Sequence, residues 1–217
     1  MILLLVLFSA FICWYYLPHV YHTYAVHYFE KQGDEAVVSH RMRALLFFIT
    51  VFLPVLFLPI LGWKSSYQFY ILLIPIIISI AYFDIKFQVI PDRFHFMAVA
   101  VILLQFFNQG ASYRYTDLLS LAIGYIFVCL LVFSNFIYSK LRKQHGIGWG
   151  DIKLLAWMTL ILKEAVIVVF FVSIVLGLCV QLLKKIVRKK HSLKDYFAFG
   201  PYLMTILLFV LLLSPLR

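Results

Sequence analysis

Two aspartates in this chain, Asp84 and Asp151, stand where scaffold roles explain them poorly. Asp84 follows a long apolar run in IAYFDIKFQVIPD. The C-terminal end of such a helix carries partial negative charge and prefers cations, so a local structural role for an acid there is unfavourable. Asp151 lies in GIGWGDIKLLAW, where Gly146, Gly148 and Gly150 allow a sharp turn or a close approach of backbone. Capping the helix that follows is its plain structural alternative. The other acids have simpler accounts. Glu30, Asp34 and Glu35 fall in a polar connection, Glu164 sits beside Lys163, and Asp92, Asp117 and Asp195 each precede an apolar run as helix caps do. A pair of carboxylates can hydrolyse a peptide. One, ionised, takes a proton from water, and the other, protonated, polarises the carbonyl and supplies the leaving amine. Two such groups at close range share a proton and titrate together.

The elements that would position this pair are written in the composition. Hydrophobic residues make up 65% of the 217 positions and charged ones 13%, against about 45–50% and about 25% in soluble domains. The apolar residues form blocks at 2–17, 44–61, 67–83, 94–107, 118–138, 152–162, 165–183 and 196–213. Blocks of this kind are read as helices in lipid, where every backbone amide must be paired within the protein. The expectation is an all-α polytopic transmembrane bundle of about eight crossings, forming one integral membrane domain over residues 1–217. The formal charge of +10 resides in short connections rather than on a soluble basic face, so nucleic acid is not an expected partner and membrane lipid is.

Charge also orients the bundle. Basic connections at 139–151 and 184–195 should both be cytoplasmic, so the chain between them must cross an even number of times, with a hairpin at Lys163–Glu164. Carried through the chain, this places both termini outside the cytoplasm and 15 of the 19 Lys and Arg residues inside. Asp84 and Asp151, 67 positions apart, then come to the same cytoplasmic edge. MILLLVLFSAF lacks the basic start of a signal peptide and is expected to be a retained helix.

At these segments the chain resembles the type IV prepilin peptidases, membrane aspartic proteases of the GxGD type. Gly148-Trp149-Gly150-Asp151 matches GxGD, and Ile152-Lys153-Leu154 continues its usual wording. Asp84 followed by Ile90-Pro91-Asp92, and Phe199-Gly200-Pro201 near the C-terminus, match two further elements. The resemblance covers roughly residues 67–203. It implies that Asp84 and Asp151 are the catalytic pair, and that Gly148, Gly150, Asp92, Lys153, Gly200 and Pro201 bind substrate or shape the site. Asp92 as a cap and Lys153 as a side chain snorkelling to the interface are their simpler roles. It further implies a prepilin or pseudopilin substrate, with a short basic leader cut at the cytoplasmic face of a bacterial inner membrane. Many members carry two CxxC pairs linked to zinc binding and to methylation of the new pilin N-terminus. Cys13, Cys129 and Cys179 form no such pair, so methyltransferase activity and a cofactor are not expected. The cysteines read as three buried small side chains.

Rival chemistries are weaker on the same residues. His19 and His22 share helical spacing, but no third ligand follows and HExxH is absent, so no metal is expected. An ion or proton transporter would use intramembrane carboxylates yet leaves the GWGDIKL and IPD wording unexplained. A non-catalytic pilus or secretion assembly factor would not need both aspartates. No GxSxG motif is present.

Overall fold

The computed structural model describes residues 2–29, 38–61, 72–109, 115–143, 146–188 and 198–213. Glu30, Asp34, Glu35, Lys64, Arg114, Lys189, Lys190, Lys194, Asp195 and the expected helix starts at Tyr67 and Tyr196 lie outside the described residues. Those that are described fold as helices with short connections: α1 Ile2–Ala10, a π-helical segment Phe11–Tyr16, α2 Leu17–Phe29, α3 His40–Leu61, α4 Leu73–Phe87, α5 Asp92–Gln109, α6 Tyr115–Arg142, α7 Trp149–Leu162, α8 Ala165–Arg188 and α9 Gly200–Leu213. The π-helical segment joins α1 to α2 without a break, because the residues at both of its ends keep right-handed helical backbone. Each of the eight apolar blocks thus carries a helix. Among the described residues Leu4–Val26, Tyr115–Arg142 and Ala165–Lys184 are long and apolar enough to cross a membrane, and Gly200–Leu211 is a shorter apolar helix.

Several helices outrun their blocks. The first continues past Leu17 to Phe29, through a stretch expected to be a connection. Pro18 inside a helix removes one amide and crowds the carbonyl four residues back. The π-helical segment immediately before it relaxes that geometry, with the Leu17 amide bonded to the Ile12 carbonyl. The α6 helix runs on to Arg142 and α8 to Arg188. Basic residues in a last turn complement the carbonyl end, so an apolar edge does not stop the helix.

The central element is α4. Residues on all of its faces are buried, among them Leu73, Ile76, Ile77, Ile80, Phe83 and Phe87, and it packs most extensively against α9. Lipid already shields apolar groups from water, so the bundle is held by close packing rather than by the hydrophobic effect that drives soluble cores. Ser79, Thr159 and Ser173 return their hydroxyls to carbonyls of their own helices at 2.7–2.8 Å, which leaves no unpaired polar group inside the stack at those positions. Phe83 anchors an aromatic cluster, with Tyr24, Phe87 and Phe94 rings at 6.0, 5.5 and 5.4 Å. That cluster fixes the C-terminal end of α4 against α2 and α5.

On the outer faces the described helices are apolar. Leu119, Ile126, Leu130 and Phe133 of α6, and Val168, Phe171, Val175 and Leu182 of α8, are exposed, as lipid-facing residues would be. Cys129 and Cys179 lie on these same helices and are exposed, whereas Cys13 is buried. The reading of all three cysteines as buried is therefore corrected for two of them, because neither is covered by a neighbour among the described residues.

The hairpin at Lys163–Glu164 is present between α7 and α8. Lys163 adopts φ 54° and its amide bonds to the Thr159 carbonyl at 2.8 Å. Its ammonium pairs with the carboxylate of Asp117 in the first turn of α6, which ties the turn to a neighbouring helix rather than leaving Asp117 as a simple cap. Gly124 of α6 makes room for this turn. A Cβ there would come within 2.6 Å of the Lys163 carbonyl oxygen.

Candidate active site

Asp84 is not beyond the end of its helix but inside its last turn, because α4 runs to Phe87. The turn closes with Gln88 in the left-handed region, φ 55°, its amide bonded to the Asp84 carbonyl at 2.9 Å. Residues 89–91 then lead into α5, which starts at Asp92. Asp151 is the third residue of α7. The capping position belongs to Gly148, with extended backbone and no side-chain cap, so Asp151 is released from the capping role that was its structural alternative.

Both aspartates line one cavity of about 810 Å³. Its walls come from Phe87 of α4 and Gln88 just beyond it, the Gly146–Gly148 connection, Phe170, Ile174 and Leu178 of α8, and Phe199 ahead of α9. Asp84 is only 5% exposed. Its Oδ2 and the Oδ1 of Asp151 are buried without a hydrogen-bond partner among the described residues. Buried unpaired carboxyl oxygens are costly, and such groups concentrate where chemistry needs them.

The two carboxyls stand just outside the apolar runs 73–83 and 152–162. Burial holds the Asp84 carboxyl above the ordinary carboxylate range, with the Gly200 amide partly offsetting it. Burial raises Asp151 likewise, and the charge of Asp84 adds to it. Each therefore retains a proton more readily than a free carboxyl, and ionising one disfavours ionising the other.

Glycines frame the pair by close approach rather than by unusual backbone. A Cβ on Gly200 would lie 2.7 Å from Asp84 Oδ2 and 3.2 Å from Ile90 Cδ1. On Gly148 it would lie 3.1 Å from Asp151 Oδ2, and on Gly150 it would lie 3.2 Å from Ile90 Cβ. Ile90 thus fills the space between the first turns of α7 and α9, and the three separated sequence elements meet on this one side chain.

Asp92 and Lys153 do something their simple readings did not foresee. The Lys153 ammonium donates to Asp92 Oδ1 at 2.6 Å, joining the start of α5 to α7 two residues beyond Asp151. The pair does not line the cavity of the aspartates. It borders a second cavity of about 320 Å³ together with His95, Phe96, Tyr125 and Trp157. Pro201 lies in the first turn of α9 and is absent from the lining of the aspartate cavity, to which Phe199 contributes instead. No group of three or more His, Cys, Asp or Glu side chains among the described residues is placed to hold a metal ion.

Asn135 of α6 escaped the reading of the sequence. Its side chain makes three hydrogen bonds to the Gly146–Ile147 backbone in the connection that leads to Asp151. The signal was there, since a polar amide towards the end of the apolar run SLAIGYIFVCLLVFSNFIY needs a partner once it is buried.

Residues 71–182, just over half of the chain, match the type IV leader peptidase family, and the chain belongs to it. Membership and the apolar helices together make this a membrane protease of the prepilin peptidase kind. The matched span includes Asp84, Asp92, Asp151 and Lys153 and ends ahead of Gly200, which reaches the site by the packing of α9 on α4. Neither the curated proteins nor the solved structures yield a match.

Proposed function

We propose that this protein is a two-aspartate endopeptidase of the bacterial inner membrane that removes the basic leader of type IV prepilins or pseudopilins at the cytoplasmic face. The observation that carries the reading is the convergence of Asp84 and Asp151 on one cavity, each with a buried oxygen that has no hydrogen-bond partner among the described residues. One carboxylate accepts a proton from water as the water oxygen adds to the scissile carbonyl. The partner carboxyl, protonated, donates a hydrogen bond to that carbonyl oxygen. Collapse of the tetrahedral adduct breaks the C–N bond, with a carboxyl supplying the proton to the leaving amine. The products are a leader with a new carboxylate and a pilin with a new N-terminal ammonium, and the pair ends with the one proton it held at the start. Gly148, Gly150 and Gly200 shape the site around the pair, and the α8 stripe Phe170–Ile174–Leu178 offers an apolar wall to the substrate segment beside the scissile bond. The core resembling the family spans residues 67–203, within one membrane domain of eight crossings with both termini outside.

Co-expression with a prepilin tests this. Wild type should shorten the prepilin on a gel, while Asp84→Asn and Asp151→Asn, inserted at equal levels, should leave it full length. Normal processing by either variant would remove that aspartate from the chemistry. Failure of wild type across several prepilins would favour an assembly factor or a transporter instead.

A further inference from the structure

Asn135 is 3% exposed and sits in the C-terminal half of α6, away from both aspartates in sequence. Its Oδ1 accepts from the amides of Gly146 at 2.9 Å and Ile147 at 3.0 Å, and its Nδ2 donates to the Ile147 carbonyl at 3.0 Å. The partners fix which end of the amide is which, because two amide donors must face an oxygen and a carbonyl must face a nitrogen. Three of the four hydrogen-bonding sites of the side chain are thereby spent on two consecutive backbone units. The next residue, Gly148, caps α7, and Asp151 follows in that helix's first turn. The stretch 146–148 also forms a wall of the cavity that holds the aspartates. Tyr138, one turn along α6 from Asn135, covers Gly146, whose added Cβ would lie 3.3 Å from the Tyr138 ring.

We propose that Asn135 is a positioning residue for peptide cleavage: by clamping the Gly146–Ile147 backbone to α6 it sets where α7 begins, and so where the Asp151 carboxyl stands relative to Asp84. The inference rests on Asp84 and Asp151 being the catalytic pair. Backbone without secondary-structure partners must have its polar groups satisfied elsewhere, and here one side chain satisfies three of them at once. Reactivity is steep in geometry, and a displacement of about 1 Å at a reacting group can cost about a hundredfold in rate. A side chain that never touches substrate can therefore control the chemical step.

The test measures kcat and KM for prepilin cleavage by the full-length protein in lipid vesicles, at matched amounts of inserted enzyme, for Asn135→Leu, Asn135→Asp, Asp84→Asn and Asp151→Asn. Leucine matches the size of asparagine and loses all three bonds. Aspartate keeps both acceptor bonds to the amides. The expected result is a kcat lowered by about tenfold or more for Asn135→Leu, an intermediate kcat for Asn135→Asp, and KM within about twofold of wild type for both. A kcat for Asn135→Leu within about twofold of wild type overturns the proposal, and so does a raised KM at unchanged kcat, which would mark a substrate contact. If Asn135→Leu fails to accumulate in the membrane, Asn135→Asp decides alone, and wild-type kcat there overturns the proposal. Activity in Asp84→Asn or Asp151→Asn would instead bring down the assignment of the catalytic pair, separately from anything Asn135 does.

Discussion

The Asp84 carboxyl is bought at a cost in stability. A carboxyl whose proton is held more tightly in the folded chain than in the unfolded one destabilises the fold as the pH rises from about 4 through its raised value, and costs nothing below that range. Burial places Asp84 and Asp151 in this situation, and the charge of Asp84 deepens it for Asp151. Asp84→Asn and Asp151→Asn should therefore raise the thermal midpoint at neutral pH, by about 2–4 °C for each kcal/mol of strain relieved, and lose that advantage near pH 4. Thermal unfolding in detergent at the two pH values checks the sign. A midpoint that falls equally at both would mean the carboxyls are held by favourable contacts. The pair itself was legible in the sequence, because an acid at the end of an apolar run and a second one in a glycine-rich turn have few structural uses. The Asp92–Lys153 bond was not, since neither a cap nor a snorkelling cation signals a partner 61 residues away.

At the scale of elements, the site depends on how closely three helix ends approach. Gly200→Ala drives a methyl into Asp84 Oδ2 at 2.7 Å and into Ile90, and should lower the cleavage rate by about tenfold or more at wild-type expression. Gly124→Ala meets the Lys163 carbonyl oxygen and Thr159 at 2.6 Å at the opposite end of α7 from Asp151, and should cost about 1–3 kcal/mol of stability while leaving the rate of the folded enzyme unchanged. The contrast, read as rate against thermal midpoint, separates crowding of the site from crowding of the scaffold. Lys153→Met should change the stability by under about 1 kcal/mol, because both partners of its ion pair are about half exposed or more. The glycines were visible in the sequence as places for close approach. What approaches them, Ile90 above all, depends on the packing of α4, α7 and α9 and is not written in any local pattern. Asn135 was missed for the same reason, as its partners lie in a connection 11 and 12 residues further on.

For the whole molecule the question is which side of the membrane each turn faces. Apolar blocks located the helices, and the basic connections predict their direction. They could not locate ends set by backbone, as in the run through Pro18 to Phe29 and the extra turn that encloses Asp84. In a chain freed of its three native cysteines, Gln88→Cys should react with an impermeant thiol reagent only from the cytoplasmic side, and Glu164→Cys only from the opposite side. Labelling of both from one side would contradict the hairpin as a crossing pair and with it the eight-span topology.

Single-turnover cleavage by purified enzyme in vesicles shows whether Asp84 and Asp151 act as one catalytic unit. Asp84→Asn and Asp151→Asn should each lower the cleavage rate by about a thousandfold or more, and the double variant should be little worse than either, as expected of groups that act together. A rate for either single variant within about tenfold of wild type, with the fold confirmed by its thermal midpoint, would contradict their acting as one unit.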